Sequence, residues 1–208
     1  MDAQTFLDEL RDEHETELSR LGSSKAVYAL TEGEMDGDAI RVGTMRELHA
    51  VTPILEMWAE AADGDAADSF ADVAAALDDW VARLDEVAAV PEGEEFTHIT
   101  VETLDDCDDE QARAAGLAAA LLVLAKLSEQ LVGFFVGDAD RSGAAEFREL
   151  RDDLREHRDD VAFLLDTLCT SDADWAEAHE VAAGVVEGAY DWYVDTLEAM
   201  GIEPKNVC

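Results

Sequence analysis

The stretch that decides the fold is "AAGLAAALLVLA", Ala114 to Ala125, in which every residue is apolar or glycine. It lies within a longer segment, about Asp108 to Val136, whose middle is apolar on nearly all sides of a helix. In a soluble protein, such a helix is buried at the centre of the assembly. The run is shorter than the ~20 residues that cross a bilayer, so we expect a core helix and no membrane span.

Amphipathic helices are predicted on both sides of this core helix from apolar residues at helical spacing. A first helix is predicted from about Ala3 to Leu21 and a short one near Lys25 to Thr31. Further long helices follow, one of which is capped by Asp38. We therefore predict an all-α fold with one domain over residues 1–208. The expected architecture is an antiparallel ferritin-like bundle of four to five long helices plus a short helix.

One irregular crossover is predicted near residues 90–104, where "VPEGEEFTHITVETL" carries proline, glycine and alternating residues. Proline and glycine interrupt helices, and about 15 residues are enough to span the end of a bundle. We therefore expect the least regular part of the chain in this segment.

The net charge is extreme, because 51 Asp and Glu residues stand against 14 Lys and Arg residues and give −37. Disorder is not expected, since 48% of the residues are hydrophobic and helically spaced. At ~1 M salt the Debye length falls to about 3 Å, which screens the self-repulsion. We therefore expect a halophilic protein of a salt-filled cytoplasm that binds neither nucleic acid nor anionic membrane.

The N-terminal sequence and the cysteines agree with that compartment. "MDAQTFLDELRDEH" is acidic where a signal peptide is basic and then apolar. The three cysteines form no CxxC motif, so we expect free thiols rather than disulfides or a zinc site.

Three phrases of the sequence carry a family resemblance: "RLGSSKAVYALTEGEMDGDAIRVGTMRELHAVTPILEMWAE", "SEQLVGFFVGDADRSGAAEFRELRDDL" and "YVDTLEAMGIEPKNVC". The chain resembles the ferritin-like or rubrerythrin-type helical proteins of haloarchaea over most of its length. The resemblance implies a four-helix bundle. In active members it also implies a di-iron or di-manganese centre used for oxidation, peroxide removal or iron handling.

The ligand motif of such a centre does not carry over to this chain. The centre needs one Glu from each of two helices and a Glu-x-x-His pair from each of two others. Here the sole Glu-x-x-His pair is Glu95 with His98, and it falls in the crossover. One remaining alternative is a divergent metal centre that uses His14, Glu129 and His157. The other is a purely structural role, in which core histidines form hydrogen bonds with neighbouring carboxylates.

A second metal hypothesis concerns "DADRSGAAEFRE", Asp138 to Glu149, which partly matches the calcium-loop pattern D-x-[DN]-x-[DN]-G-x5-E. The candidate ligands are Asp138, Asp140, Ser142, Glu146 and Glu149. The alternative is an acidic turn between two helices, in which Gly143 relieves the backbone and Asp140 or Ser142 caps the next helix. We favour the turn, because no partner loop occurs elsewhere in the sequence.

These observations give three hypotheses on function. The first is a cytoplasmic, salt-adapted, non-catalytic bundle without cofactor that acts through protein–protein association, as a homodimer or with another protein. The alternative is a divergent di-iron or di-manganese oxidoreductase or iron-handling protein. The second alternative is a calcium-binding helix-loop-helix at residues 138–149.

The calcium hypothesis predicts that Glu149→Gln lowers the unfolding free energy only when calcium is present, because the substitution removes the bidentate ligand of the loop. Denaturant unfolding with calcium and with a chelator measures this. Equal effects under both conditions would remove the hypothesis.

Overall fold

The computed structural model describes residues 1–88 and 97–204, and this part of the chain is entirely helical, without strands. The predicted all-α class is therefore confirmed. The described residues form nine helices: α1 (Ala3–Glu13), α2 (Glu15–Leu21), α3 (Ser24–Leu30), α4 (Gly37–Ala61), α5 (Gly64–Asp85), α6 (Val101–Asp105), α7 (Glu110–Gly137), α8 (Arg141–Leu168) and α9 (Asp172–Ala199).

The central element is α7, the helix predicted from the apolar run. All residues from Ala114 to Ala125 are buried, and α7 packs most closely against α8 and α9, with α2 and α3 covering further parts of its surface. Among the described helices, α7 is the one long and apolar enough to cross a bilayer, but 67% of its most apolar 18-residue window is buried inside the protein. The core helix of a soluble bundle has the same length and composition.

The long helices pair through very short links. Ala62 and Asp63 connect α4 to α5, and Asp138 to Asp140 connect α7 to α8, so each pair is an antiparallel hairpin. The link from α8 to α9 is also three residues long, yet α9 packs mainly against α7. The α4–α5 hairpin contacts α8 through the indole of Trp80, which donates a hydrogen bond of 3.0 Å to Asp153 Oδ2.

Two local predictions differ from the structure. The predicted first helix is interrupted at His14, whose φ of −107° and ψ of 28° are not helical. This break lets α1 pack against α8 while α2 packs against α9. Asp36, not Asp38, caps α4, because its Oδ1 accepts hydrogen bonds from the amides of Asp38 and Ala39 at 3.0 and 2.8 Å.

The predicted crossover is only partly described. Residues 90–96 lie outside the described residues, and the described remainder contains the short helix α6. Glu47 of α4 fixes the start of this remainder, because its Oε2 accepts a hydrogen bond of 2.9 Å from the amide of Ile99. Its Oε1 lies 3.5 Å from Nδ1 of His98, within range of charge pairing.

The His98–Glu47 pair predicts a pH dependence of stability. Pairing with Glu47 raises the pKa of His98 above its ordinary value of 6.5, and burial of the ring opposes this rise. A raised folded-state pKa stabilises the fold fully below pH 6.5 and stops doing so as pH rises through the folded value. We therefore expect the unfolding free energy to fall as pH rises from slightly acidic to slightly alkaline values.

Urea unfolding over that pH range measures the effect, and His98→Gln should flatten the curve. The control is His49→Gln, because His49 is exposed on the same helix as Glu47. A curve that keeps its slope in His98→Gln would contradict the assignment.

Candidate functional site

The segment proposed as a calcium loop contains only three residues between helices. Asp138 ends α7, Asp140 is the N-cap of α8, and α8 begins at Arg141. Ser142 and Glu146 therefore lie inside a helix. The Oδ1 atom of Asp140 accepts hydrogen bonds from the amides of Ser142 and Gly143 at 2.9 and 3.0 Å. This is the capping role that the turn interpretation assigns to Asp140.

The carboxylates of this segment contact arginines from the α4–α5 hairpin. Nε of Arg41 donates to Glu146 Oε2 at 2.9 Å, and Nη2 of Arg41 lies 3.8 Å from Asp140 Oδ2. The guanidinium of Arg83 donates to both oxygens of Glu149, at 3.2 and 2.9 Å. The Arg41 side chain is only 10% exposed, so a guanidinium supplies the positive charge that the calcium hypothesis assigns to the metal.

Gly143 has a packing role in this arrangement. It lies inside α8, whereas the glycine of a calcium loop makes a sharp turn. A Cβ atom at this position would stand 2.4 Å from Cδ1 of Phe135. The Phe135 ring is buried and stacked on Phe147 with centroids 5.1 Å apart, so the ring has little room to move.

The residues of the divergent di-metal hypothesis lie in different places. His14 is buried at the break between α1 and α2. Glu129 bonds to Lys126 and Arg155, while His157 lines a groove between α5 and α8 with Asp68 and Asp72. In residues 1–88 and 97–204, no group of three or more His, Cys, Asp or Glu side chains is placed to hold a metal ion.

The cysteines and Glu95 are the other candidate reactive residues of the sequence. Cys107 and Cys169 are free and buried, and burial raises the pKa of each thiol to about 11. These two thiols are therefore protonated and unreactive at neutral pH. Glu95 and Cys208 lie outside the described residues.

The cavity that differs most from the rest of this acidic chain is a cleft of about 710 Å³ between the α1–α2 segment, α7 and α8. We call it the basic cleft. Four of the 14 basic residues of the chain line it, against two carboxylates. Its lining residues are Arg11, Glu15, Leu18, Ser19, Gly22, Leu122, Ala125, Lys126, Glu129, Arg155 and Arg158.

Helical spacing brings these side chains together. Ala125, Lys126 and Glu129 lie three, four and seven residues after Leu122, so all four residues share one face of α7. Gly22, just after α2, leaves room for the stem of Lys126, since a Cβ there would lie 3.1 Å from Lys126 Cε. The lining also includes three buried apolar side chains, Leu18, Leu122 and Ala125, which we call the apolar floor.

The basic cleft has two halves with different electrostatics. In the first half, Nζ of Lys126 donates to Glu129 Oε2 at 2.8 Å, and Nη2 of Arg155 donates to Glu129 Oε1. Partial burial raises the pKa of Glu129, but hydrogen bonds and charge from Lys126 and Arg155 outweigh burial and hold that pKa below its ordinary range. Glu129 is therefore an anion at neutral pH.

The second half contains two like charges. Burial lowers the pKa of Arg11, and the positive charge of Arg158 lowers it further. The Arg11 and Arg158 guanidinium groups donate to Asp8 and Asp159, both neighbours on their own helices. Within the part of the chain that the structure describes, Nε and Nη2 of Arg11 and Nη1 of Arg158 make no hydrogen bond. These donors are available at the cleft.

Sequence reasoning missed the basic cleft, although one signal was present. The segment "RELRDDLREHR", residues 148–158, has arginines at intervals of three, four and three residues. This spacing places Arg148, Arg151, Arg155 and Arg158 on one face of α8. So regular a basic stripe is unusual in a chain with 14 basic residues in 208. The contribution of Arg11 and Lys126 depends on tertiary packing.

A second cavity of about 660 Å³ lies beside α6 and α9. Its ionisable lining is dominated by the carboxylates of Glu32, Glu102, Asp191 and Asp195, as on the rest of the surface. This composition does not distinguish it from its surroundings.

Comparison of the chain with family models, curated proteins and solved structures gives no match.

The Gly143–Phe135 contact predicts that Gly143→Ala lowers the unfolding free energy by roughly 1–3 kcal/mol, because overpacking displaces a buried ring. The loss should be the same with calcium and with a chelator, as measured by denaturant unfolding. Gly184→Ala in α9 is the control, since a Cβ there meets no atom within 4 Å. That substitution should stabilise the protein by up to about 1 kcal/mol through helix propensity. A calcium-dependent loss in Gly143→Ala would contradict the packing role.

Proposed function

We propose that this chain is a salt-adapted, ferritin-like helical bundle that binds an anionic ligand in the basic cleft and carries out no reaction on it. The ligand class is a small molecule with a phosphate or carboxylate group. The single observation that carries the proposal is the convergence of Arg11, Lys126, Arg155 and Arg158 on one cleft in a chain of net charge −37.

The scarcity of basic residues gives this observation its weight. Most arginines elsewhere in the described chain have a structural partner, as Arg41 and Arg83 show. In the basic cleft, by contrast, the donors of Arg11 and Arg158 exceed what the described carboxylates use. Bringing like charges together is unfavourable unless something compensates. Asp8 and Asp159 provide part of that compensation, and a bound anion would add to it.

The chemistry of the donors favours oxyanions. Guanidinium groups present planar, paired N–H donors that match carboxylate and phosphate oxygens, and they stay charged at any physiological pH. A volume of about 710 Å³ is in the range of small-molecule sites. Because arginine and lysine at neutral pH are poor proton acceptors, the cleft is suited to binding rather than to acid–base catalysis.

Other properties of the chain support the wider proposal. The sequence phrases and the antiparallel hairpins of α4–α5 and α7–α8 support a ferritin-like bundle. The charge of −37 supports a salt-rich cytoplasm. Association with a second copy or with another protein is compatible with this function, because the basic cleft occupies one side of the bundle only.

Isothermal titration with inorganic phosphate in concentrated KCl tests the proposal. We expect saturable binding at one site per chain. Arg158→Gln should weaken binding about 10-fold or more, because a charged hydrogen bond contributes roughly 1.5–3 kcal/mol. Arg11→Gln should behave alike, and it is the second variant because Arg158 is more deeply buried.

Arg148→Gln is the matched control. It removes the same charge from the same helix at an exposed position that does not line the cleft. Equal losses in Arg148→Gln and Arg158→Gln would mean that phosphate responds to overall charge and not to the basic cleft. Absence of saturable binding to the unmodified chain would refute the proposed function.

A further inference from the structure

The two carboxylate oxygens of Glu129 already occupy one half of the basic cleft. Oε2 accepts from Lys126 at 2.8 Å and Oε1 accepts from Arg155, so a lysine and an arginine on two different helices hold one carboxylate between them. An external carboxylate or phosphate would be recognised by the same two groups. Glu129 therefore occupies, as an internal anion, the position at Lys126 and Arg155 that an external anion would take.

Glu129 cannot be replaced easily as that anion. It is tethered to α7 three residues from Lys126, so its effective concentration at the pair is high. Both of its contacts are charge-assisted hydrogen bonds, which are stronger than neutral ones. Any external anion would have to compete with this tethered carboxylate.

In the other half of the cleft, no lining carboxylate bridges the two basic groups. Of the two carboxylates that line the cleft, Glu129 is held by Lys126 and Arg155, and Glu15 makes no hydrogen bond or ion pair with the described residues. The Arg11 and Arg158 guanidinium groups bond instead to Asp8 and Asp159, which are not part of the lining. The same cleft is also lined by the buried apolar side chains of Leu18, Leu122 and Ala125.

We propose that Glu129 acts as an internal occupant that restricts the basic cleft to ligands with a single anionic head group and an apolar body. The head group binds at Arg11 and Arg158, and the body lies over the apolar floor. Ligands with two adjacent anionic groups are rejected because Glu129 repels the second group. This inference rests on the proposed function, since it assumes that the cleft binds anions.

The inference makes a specific statement about selectivity in the unmodified chain. Phenyl phosphate should bind more tightly than inorganic phosphate, by about threefold or more, because the ring covers apolar surface. Pyrophosphate should bind no more tightly than inorganic phosphate. Benzoate serves as the carboxylate counterpart: tighter binding of benzoate than of phenyl phosphate assigns the head group to a carboxylate, and the reverse order assigns it to a phosphate. Either order supports the single-head class, whereas preferred binding of pyrophosphate overturns it.

The decisive variant is Glu129→Gln, which keeps the shape of the side chain and removes its charge. Lys126 and Arg155 then become available to a second anionic group, so affinity for pyrophosphate should rise about tenfold or more relative to inorganic phosphate. Glu129→Ala is the second variant and should give the same change in selectivity if Glu129→Gln proves unstable. Circular dichroism confirms that each variant keeps its helices.

Glu15→Gln is the matched control, because it removes one negative charge from the same cleft without touching the Lys126–Arg155 pair. It should leave the ratio of pyrophosphate to phosphate affinity unchanged. An equal change of that ratio in Glu15→Gln and Glu129→Gln would overturn the inference, as would unchanged selectivity in both Glu129 variants. Failure of the unmodified chain to bind phosphate or phenyl phosphate refutes the proposed function instead, so the two failures are distinguishable.

Discussion

Burial of α7 on every side is the constraint on which the rest of the structure depends. Its middle is apolar around its whole circumference, so water contact on any face would be unfavourable by roughly 25 cal/mol per Å² of apolar surface. Two long helices cover most of this surface, and the short helices α2 and α3 cover other parts. The break at His14 divides this covering segment, so that α1 packs against α8 and α9 while α2 packs against α9 and α7.

The second constraint is the shortage of positive charge. With 51 acidic and 14 basic residues, helices that meet near their polar edges bring carboxylates together unless an arginine lies between them. Arg41 and Arg83 do this where the α4–α5 hairpin contacts α8, and their partners include Glu146 and Glu149. Residues that resemble metal ligands in the sequence thus have a structural use. The basic cleft differs from these sites because four basic side chains line it and only two carboxylates do.

In the part of the chain that the structure describes, the reactive side chains do not gather at one site. The buried thiols of Cys107 and Cys169 have a raised pKa, and the histidines are spread over separate parts of the bundle. The groups that converge on the cleft are three arginines, one lysine and two glutamates. Under the proposed function, these fixed charges would select a ligand by its shape and charge, and Glu129 would restrict the ligands that bind.

The sequence by itself determined the helical class, the position of the core helix and the approximate extent of the long helices, because apolar periodicity reports directly which faces avoid water. It also indicated two alternatives for residues 138–149, a calcium loop or a turn capped by Asp140 or Ser142, since helix caps and turns depend on neighbouring residues. It did not reveal that Arg41 pairs with Glu146, 105 positions away, or that Arg11 and Arg158 line the same cleft. Local sequence places a side chain on a helix face, but which faces meet is decided by how the helices pack around α7. Tertiary structure alone therefore decided where the scarce positive charge of the chain is concentrated.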